Sequence, residues 1–131
     1  GVPETALQKA RSLRARHEAS FKKAYRSGIP IAMGTDAGTP FKQHGENAQE
    51  LERMVALGMS PMDALVAATA SAARLLGINQ EVGTIETGKV ADLLVVSGNP
   101  LRNISLLLDK DRIAGVMQAG RFVSGRLCTG G

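Results

Sequence analysis

The chain has 131 residues, enough for one modest domain, with 44% apolar and 3% aromatic residues and a net charge of +4. That charge is spread out, with no dense basic run and no interleaved aromatics, which argues against a nucleic-acid partner; no apolar run reaches membrane-spanning length. With so few aromatics the core must be aliphatic, and fifteen glycines point to many turns.

Residues 1–16 are charged and lack the apolar stretch of a secretory leader, so none is expected. They open a helix instead. Pro3 and Glu4 suit a first turn. Leu7, Ala10, Leu13, His17, Phe21 and Ala24 recur at helical spacing on one side. Lys9, Arg16, Lys22, Lys23 and Arg26 lie off that stripe and read as a solvated face. Gly28 is placed for a left-handed cap. His17 falls on the stripe, where a packed helix histidine is the commoner reading and a ligand the rarer.

Next comes Ile29-Pro30-Ile31-Ala32-Met33-Gly34-Thr35-Asp36-Ala37-Gly38-Thr39-Pro40. Residues 29–33 have the length and apolar content of a buried strand in a parallel sheet. Asp36 follows where such a strand gives way to its loop, the end at which α/β folds bind ligands and metals. The plain alternative is that Asp36 stabilises a turn or caps a helix. His44 stands eight positions later, also in a loop. A histidine there is a functional candidate, or a surface residue of no consequence. The loop lacks the GxxxxGK[ST] pattern of a phosphate cradle.

A helix is expected over about 47–57, with Leu51, Met54 and Val55 inward and Gly58 ending it. Ser60 is a good N-cap, Pro61 fits the first helical position, and Asp63 suits the positive end of the dipole. The pattern predicts one helix over 61–76, with Leu65, Ala68, Thr69, Ala72, Leu75 and Leu76 on its buried face and Gly77 as cap. From about Ile78 the pattern turns to short strands. They are Gly83-Thr84-Ile85, then 90–96, then a hairpin of 113–118 and 121–123 through Ala119-Gly120. Residues 101–108 read as a helical turn or irregular crossing, and 129–131 as a fraying end. Cys128 is single, which fits a reducing cytoplasm.

Neither half looks self-sufficient. A lone parallel strand leaves both edges unpaired, and four short strands make a poor core. The chain therefore reads as the C-terminal part of something larger, or as part of an assembly.

The motifs Gly34-Thr35-Asp36-Ala37-Gly38-Thr39-Pro40, His44-Gly45 with Asn47 and Glu50-Leu51, and Ala67-Ala68-Thr69 through Ala73-Leu76-Gly77 occur in this order. Gly83-Thr84-Ile85, Gly88-Lys89-Val90-Ala91-Asp92-Leu93 and Val116-Met117-Gln118-Ala119-Gly120-Arg121 come after them. Together they resemble the C-terminal part of a metal-dependent amidohydrolase, nearest the imidazolonepropionase-like and Xaa-Pro dipeptidase-like subgroup. The resemblance covers nearly the whole chain.

It implies an α/β fold class: the last strand and helices of a (β/α)8 barrel over 1–77, then part of a small β-sandwich over 78–131. It implies hydrolysis of C–N bonds in amides, cyclic amides or dipeptides through a metal-activated water, with one or two divalent ions, zinc above all, in the complete enzyme. Asp36 aligns with the family aspartate that binds the metal and takes a proton from the attacking water. His44 and Thr39 match loop positions near the substrate. Gly34 and Gly38 let the backbone approach metal or substrate closely.

The departure is as concrete. The family's other ligands lie upstream, including a His-x-His pair, and this chain has only His17 and His44. A barrel takes about 250 residues. The isolated chain is therefore expected to hold no zinc, to be inactive, and to need an upstream barrel half or self-association. The competing reading is a non-catalytic, self-associating module derived from such an enzyme.

Overall fold

The computed structural model describes residues 4–38 and 44–128, without the side chains of Ala6, Leu7, Ala10 and Arg11. The expectations for Pro3, Thr39 and the end at 129–131, and the stripe positions Leu7 and Ala10, lie outside the described residues and side chains.

Among the described residues four helices come first: α1 (Glu4–Arg26), α2 (Ala48–Ala56), α3 (Pro61–Ala68) and α4 (Ala70–Leu75). Three strands come next, β1 (Leu93–Val96), β2 (Ile113–Gln118) and β3 (Arg121–Ser124). They form an antiparallel sheet in the order β1-β2-β3, with Leu94 opposite Val116 and Gln118 opposite Arg121. Short 3-10 turns at Ile104–Leu108 and Lys110–Arg112 cross from β1 to β2, where the sequence allowed a helical turn.

The caps form as their chemistry dictates. Gly28 and Gly77 take φ of +71° and +74° after the helices they end. Ser60 is extended, and its hydroxyl accepts the Asp63 N–H at 3.0 Å, with Pro61 in the first turn. Asp63 does more than complement the dipole. Its Oδ2 accepts the Ser60 hydroxyl at 2.7 Å and the Tyr25 hydroxyl at 2.5 Å. The Ser60 N–H in turn donates to the Tyr25 hydroxyl at 3.2 Å. One phenol thereby ties the last turn of α1 to the first turn of α3.

The core is a cluster of Leu51, Met54, Met59, Ala64, Ala67 and Ile104. Phe21, Tyr25, Ile31, Met33 and Leu107 pack against it. Ile104 thus enters a helical cluster from the strand-rich half. Beside it the Ser105 hydroxyl donates to the Glu52 carboxylate. The core is aliphatic, as the composition requires.

Several expectations are corrected. On the face expected to be buried over 61–76, Thr69, Leu75 and Leu76 are exposed, and Ala64, Ala67 and Ala73 are buried instead. The strand expected over 90–96 starts only at Leu93. Residues 29–33 form no strand: among the described residues no ladder lies beside them, and a strand exists only through its partners. The segment holds one backbone bond to a helix instead, from the Met33 N–H to the Ala67 carbonyl at 2.9 Å. The single helix over 61–76 is broken at Thr69 (φ −123°, ψ −90°), whose hydroxyl turns back to the Leu65 carbonyl at 2.8 Å. In an unbroken helix the Ala67 carbonyl would face the N–H four residues on; the break leaves it for Met33. Gly83-Thr84-Ile85 is not a strand either. A Cβ on Gly83 would stand 2.6 Å from the Ala73 Cβ, so this stretch packs on α4 rather than pairing with the sheet.

Among the described positions, the apolar stripe of α1 is covered near its C-terminal end. Leu13 is 54% exposed, whereas Phe21 and Tyr25 are partly buried.

The Gly88-to-Leu93 motif is structural. Lys89 bonds the Thr84 hydroxyl and pairs with Glu86 at 3.3 Å, closing the turn. Asp92 Oδ1 accepts the Ala119 N–H at 2.7 Å, and the Ala91 carbonyl accepts the Gly120 N–H at 3.0 Å. Ala119 has φ of +46°. Asp92 thereby holds the β2–β3 turn against the start of β1.

The hydrogen bond from Tyr25, and next that from Ser60, holds the Asp63 carboxyl below its ordinary value. A depressed folded pKa stabilises the fold above the unfolded value and loses that contribution as pH falls through the folded one. Urea midpoints should therefore drop on acidification below about pH 4, and Asp63→Asn should remove part of that drop. At neutral pH, Ser60→Ala should lower stability by about 1 kcal/mol in the same measurement.

Candidate functional site

The chain leaves α1 at Gly28 and runs extended through Ile31 and Met33, which pack on the core. Three residues beyond the Met33 anchor it reaches Asp36. That residue has φ of +50°, in the left-handed region. Aspartate is among the few side chains that visit it, at a cost which marks the position as set by its surroundings. The residue is exposed, in a loop of small residues.

His44 returns onto this loop. Gly38 has φ of +99°, and a Cβ there would stand 2.9 Å from the His44 Nε2 and 3.3 Å from its Cε1. The imidazole therefore occupies the space that any side chain at 38 would need. Two of the sequence candidates thus share one loop: Asp36, and His44 packed on the glycine two residues after it. Thr39, the third, lies outside the described residues.

Beside the loop, Thr35 and Ala37 face Glu46 and Asn47 before α2 and Glu50 and Arg53 along it, across a depression of about 20 Å³. That volume suits a single water. His17 belongs elsewhere. It lines a cleft between α1 and α2 with Arg14, Glu18, Glu50 and Arg53. There the Arg14 guanidinium, at 2.8 Å from Glu18, holds that half-buried carboxyl below its ordinary value.

Sequence reasoning missed Tyr25 and Thr69. A tyrosine followed by Arg26 at a helix end carries no local sign of a partner 35 residues on. The one signal was the Ser60-to-Asp63 cap, whose carboxylate oxygen can accept a further donor beside the Ser60 hydroxyl.

Among the described residues no group of three or more His, Cys, Asp or Glu side chains could hold a metal ion. A catalytic zinc takes three protein ligands. Asp36 fits the chemistry of one oxygen donor, but the described residues alone do not make a metal site.

The chain thus places an aspartate in a Gly-rich loop after an apolar segment, then three helices, then a small antiparallel sheet. The sequence pattern of the amidohydrolase family matches residues 1–123, and the chain belongs to that family. Members generally use divalent metal ions. The chain is 29% identical over 127 residues to an ochratoxinase of Aspergillus niger, covering 95% of itself and 26% of that enzyme. It is 44% identical over 64 residues to an imidazolonepropionase of Rubrobacter xylanophilus, covering 49% of itself and 15% of that enzyme. A crystal structure of a Xaa-Pro dipeptidase, solved with methionine in its active site, superposes with a TM-score of 0.82 at 41% identity, over 94% of this chain and 29% of the dipeptidase. The chain therefore spans under a third of the length of these relatives.

The donor set carries its own expectation. Purified and dialysed, the 131-residue chain should bind far less than one zinc per chain by elemental analysis. A stoichiometric, chelator-sensitive metal would mean that ligands are supplied across an interface between copies.

Proposed function

We propose that this chain is the C-terminal portion of a metal-dependent amidohydrolase that cleaves C–N bonds in amides, cyclic amides or dipeptides. Residues 1–77 are its contribution to the barrel, and 78–131 its share of a β-sandwich. The observation that carries the reading is Asp36. Its carboxylate stands in a left-handed loop position, at the end of an extended segment anchored to α3, with His44 folded onto the same loop.

In this reading Asp36 performs the proton transfers. Its carboxylate orients a water and takes one proton as the oxygen adds to the carbonyl carbon. It then delivers that proton to the leaving nitrogen as the C–N bond breaks, giving a carboxylic acid and an amine. A divalent ion, zinc in this proposal, would lower the pKa of the water when bound; its remaining ligands lie beyond the described residues. His44 and Thr39 contact the substrate. Gly38 keeps its side free for the imidazole. The exposed single Cys128 suits a reducing cytoplasm.

The names of the relatives guide the choice of substrate. In the full-length protein, methionyl-proline is the first probe, then cyclic and linear amides. Asp36→Asn should lower kcat at least about a hundredfold with the fold intact by circular dichroism. Near-normal turnover would sink the assignment.

A second reading, a non-catalytic self-associating module, has its own observation. Leu75, Leu76 and Ile85 are 76%, 70% and 87% exposed. Apolar surface of this kind promotes association, so light scattering of the isolated chain at micromolar concentration should report an oligomer. The two readings divide on the complete protein: only the first predicts turnover there. A monomer with a sharp, concentration-independent melt would contradict both.

A further inference from the structure

We propose that Tyr25 is a positioning residue for Asp36, acting through the segment between them rather than on any ligand; the inference rests on the catalytic reading of Asp36. The phenol ring packs on the core cluster, and its hydroxyl is used twice. It donates to Asp63 Oδ2 at 2.5 Å and accepts the Ser60 N–H at 3.2 Å. A helix cap needs neither bond from so far away in sequence. Ser60 already caps α3 through its own side chain, and Asp63 already closes the pair. The tyrosine bond therefore serves α1 and the segment that leaves it.

That segment takes a short path. Gly28 and Ile29 donate back to the Tyr25 and Ala24 carbonyls at 3.0 and 3.1 Å. The chain then runs to Met33, whose N–H reaches the Ala67 carbonyl at 2.9 Å. Ser60 precedes the first turn of α3 and Ala67 lies in its last. Residues 25–33 are thus fastened at both ends of one helix, with Ile31 and Met33 packed on the core. The break at Thr69 supplies the second fastening. Asp36 is three residues past it, where an error of register moves the carboxylate directly. A side chain held through a helix in this way is placed more precisely than one on a free loop, and displacements near 1 Å cost about a hundredfold in rate.

The test is Tyr25→Phe in the full-length protein, which keeps the ring and removes only the hydroxyl. Amide exchange at Met33 should become about tenfold faster, with the Leu51 and Ala64 amides unchanged. With methionyl-proline as probe, kcat should fall about tenfold with KM within about twofold. A purely structural role would instead loosen all three amides together and leave kcat per folded molecule unchanged, and that result overturns the proposal. If Tyr25→Phe does not fold, Asp63→Ala, which removes the acceptor of the Tyr25 hydroxyl, tests the same fastening by the same readings. Unchanged Met33 exchange in a folded variant overturns the fastening itself. Full activity of Asp36→Asn overturns the catalytic reading and leaves the fastening without that purpose, a distinguishable failure.

Discussion

The fold depends on how an apolar segment is held when no described strand flanks it. Residues 29–33 carry backbone groups that want a ladder, and among the described residues none is offered. The chain meets this with one bond from Met33 to the Ala67 carbonyl and with the packing of Ile31 and Met33 on the core. That bond requires α3 to stop at Ala68. The interruption of a helix and the placement of the Asp36 loop are thus one event, in which Thr69 gives up regularity so that a carbonyl can face sideways.

Much of this was legible in the sequence because it rests on local chemistry. Ser60, Pro61 and Asp63 specify a helix start whatever surrounds them. Gly28 and Gly77 specify helix ends, and the spacing around Ala119-Gly120 specifies a hairpin. Asp36 was visible as a candidate because it follows an apolar run in a loop of small residues, where stabilising a turn is the plain alternative. The features that stayed hidden depend on partners distant in sequence. Residues 29–33 have the composition of a strand, but pairing is a property of two segments. Leu65 to Leu76 has the spacing of a helix, and nothing within it announces a competing donor from Met33. The contact of His44 with Gly38 comes from loop closure, which the eight-residue separation from Asp36 permitted without specifying.

The motifs also divide by what they do. Gly34 to Gly38 with His44 shapes a loop around a carboxylate. Gly88 to Leu93, which carries as much of the family resemblance, closes a turn through Lys89 and anchors a hairpin through Asp92. A carboxylate in a recognisable motif is therefore not by itself a sign of chemistry. Asp92 has a backbone N–H to accept from a residue at positive φ, which is reason enough for its presence. Asp36 is itself the residue at positive φ, and the loop bends around it.

Helix α1 has a thermodynamic consequence of its own. It is 23 residues long, which at 1.5 Å per residue is roughly 35 Å. Residues 12–17 are exposed, and among the described side chains the helix meets the core near its end, at Phe21 and Tyr25. Two parts of one element then obey different statistics. The last turns melt with the core, all or none. The exposed turns obey a helix–coil balance set by local propensity and pairs such as Arg14 with Glu18, which shifts gradually with temperature. Helicity measured on this chain alone will therefore decline along a slope before it falls at a midpoint, and the slope will report a helix seeking a surface to lie on.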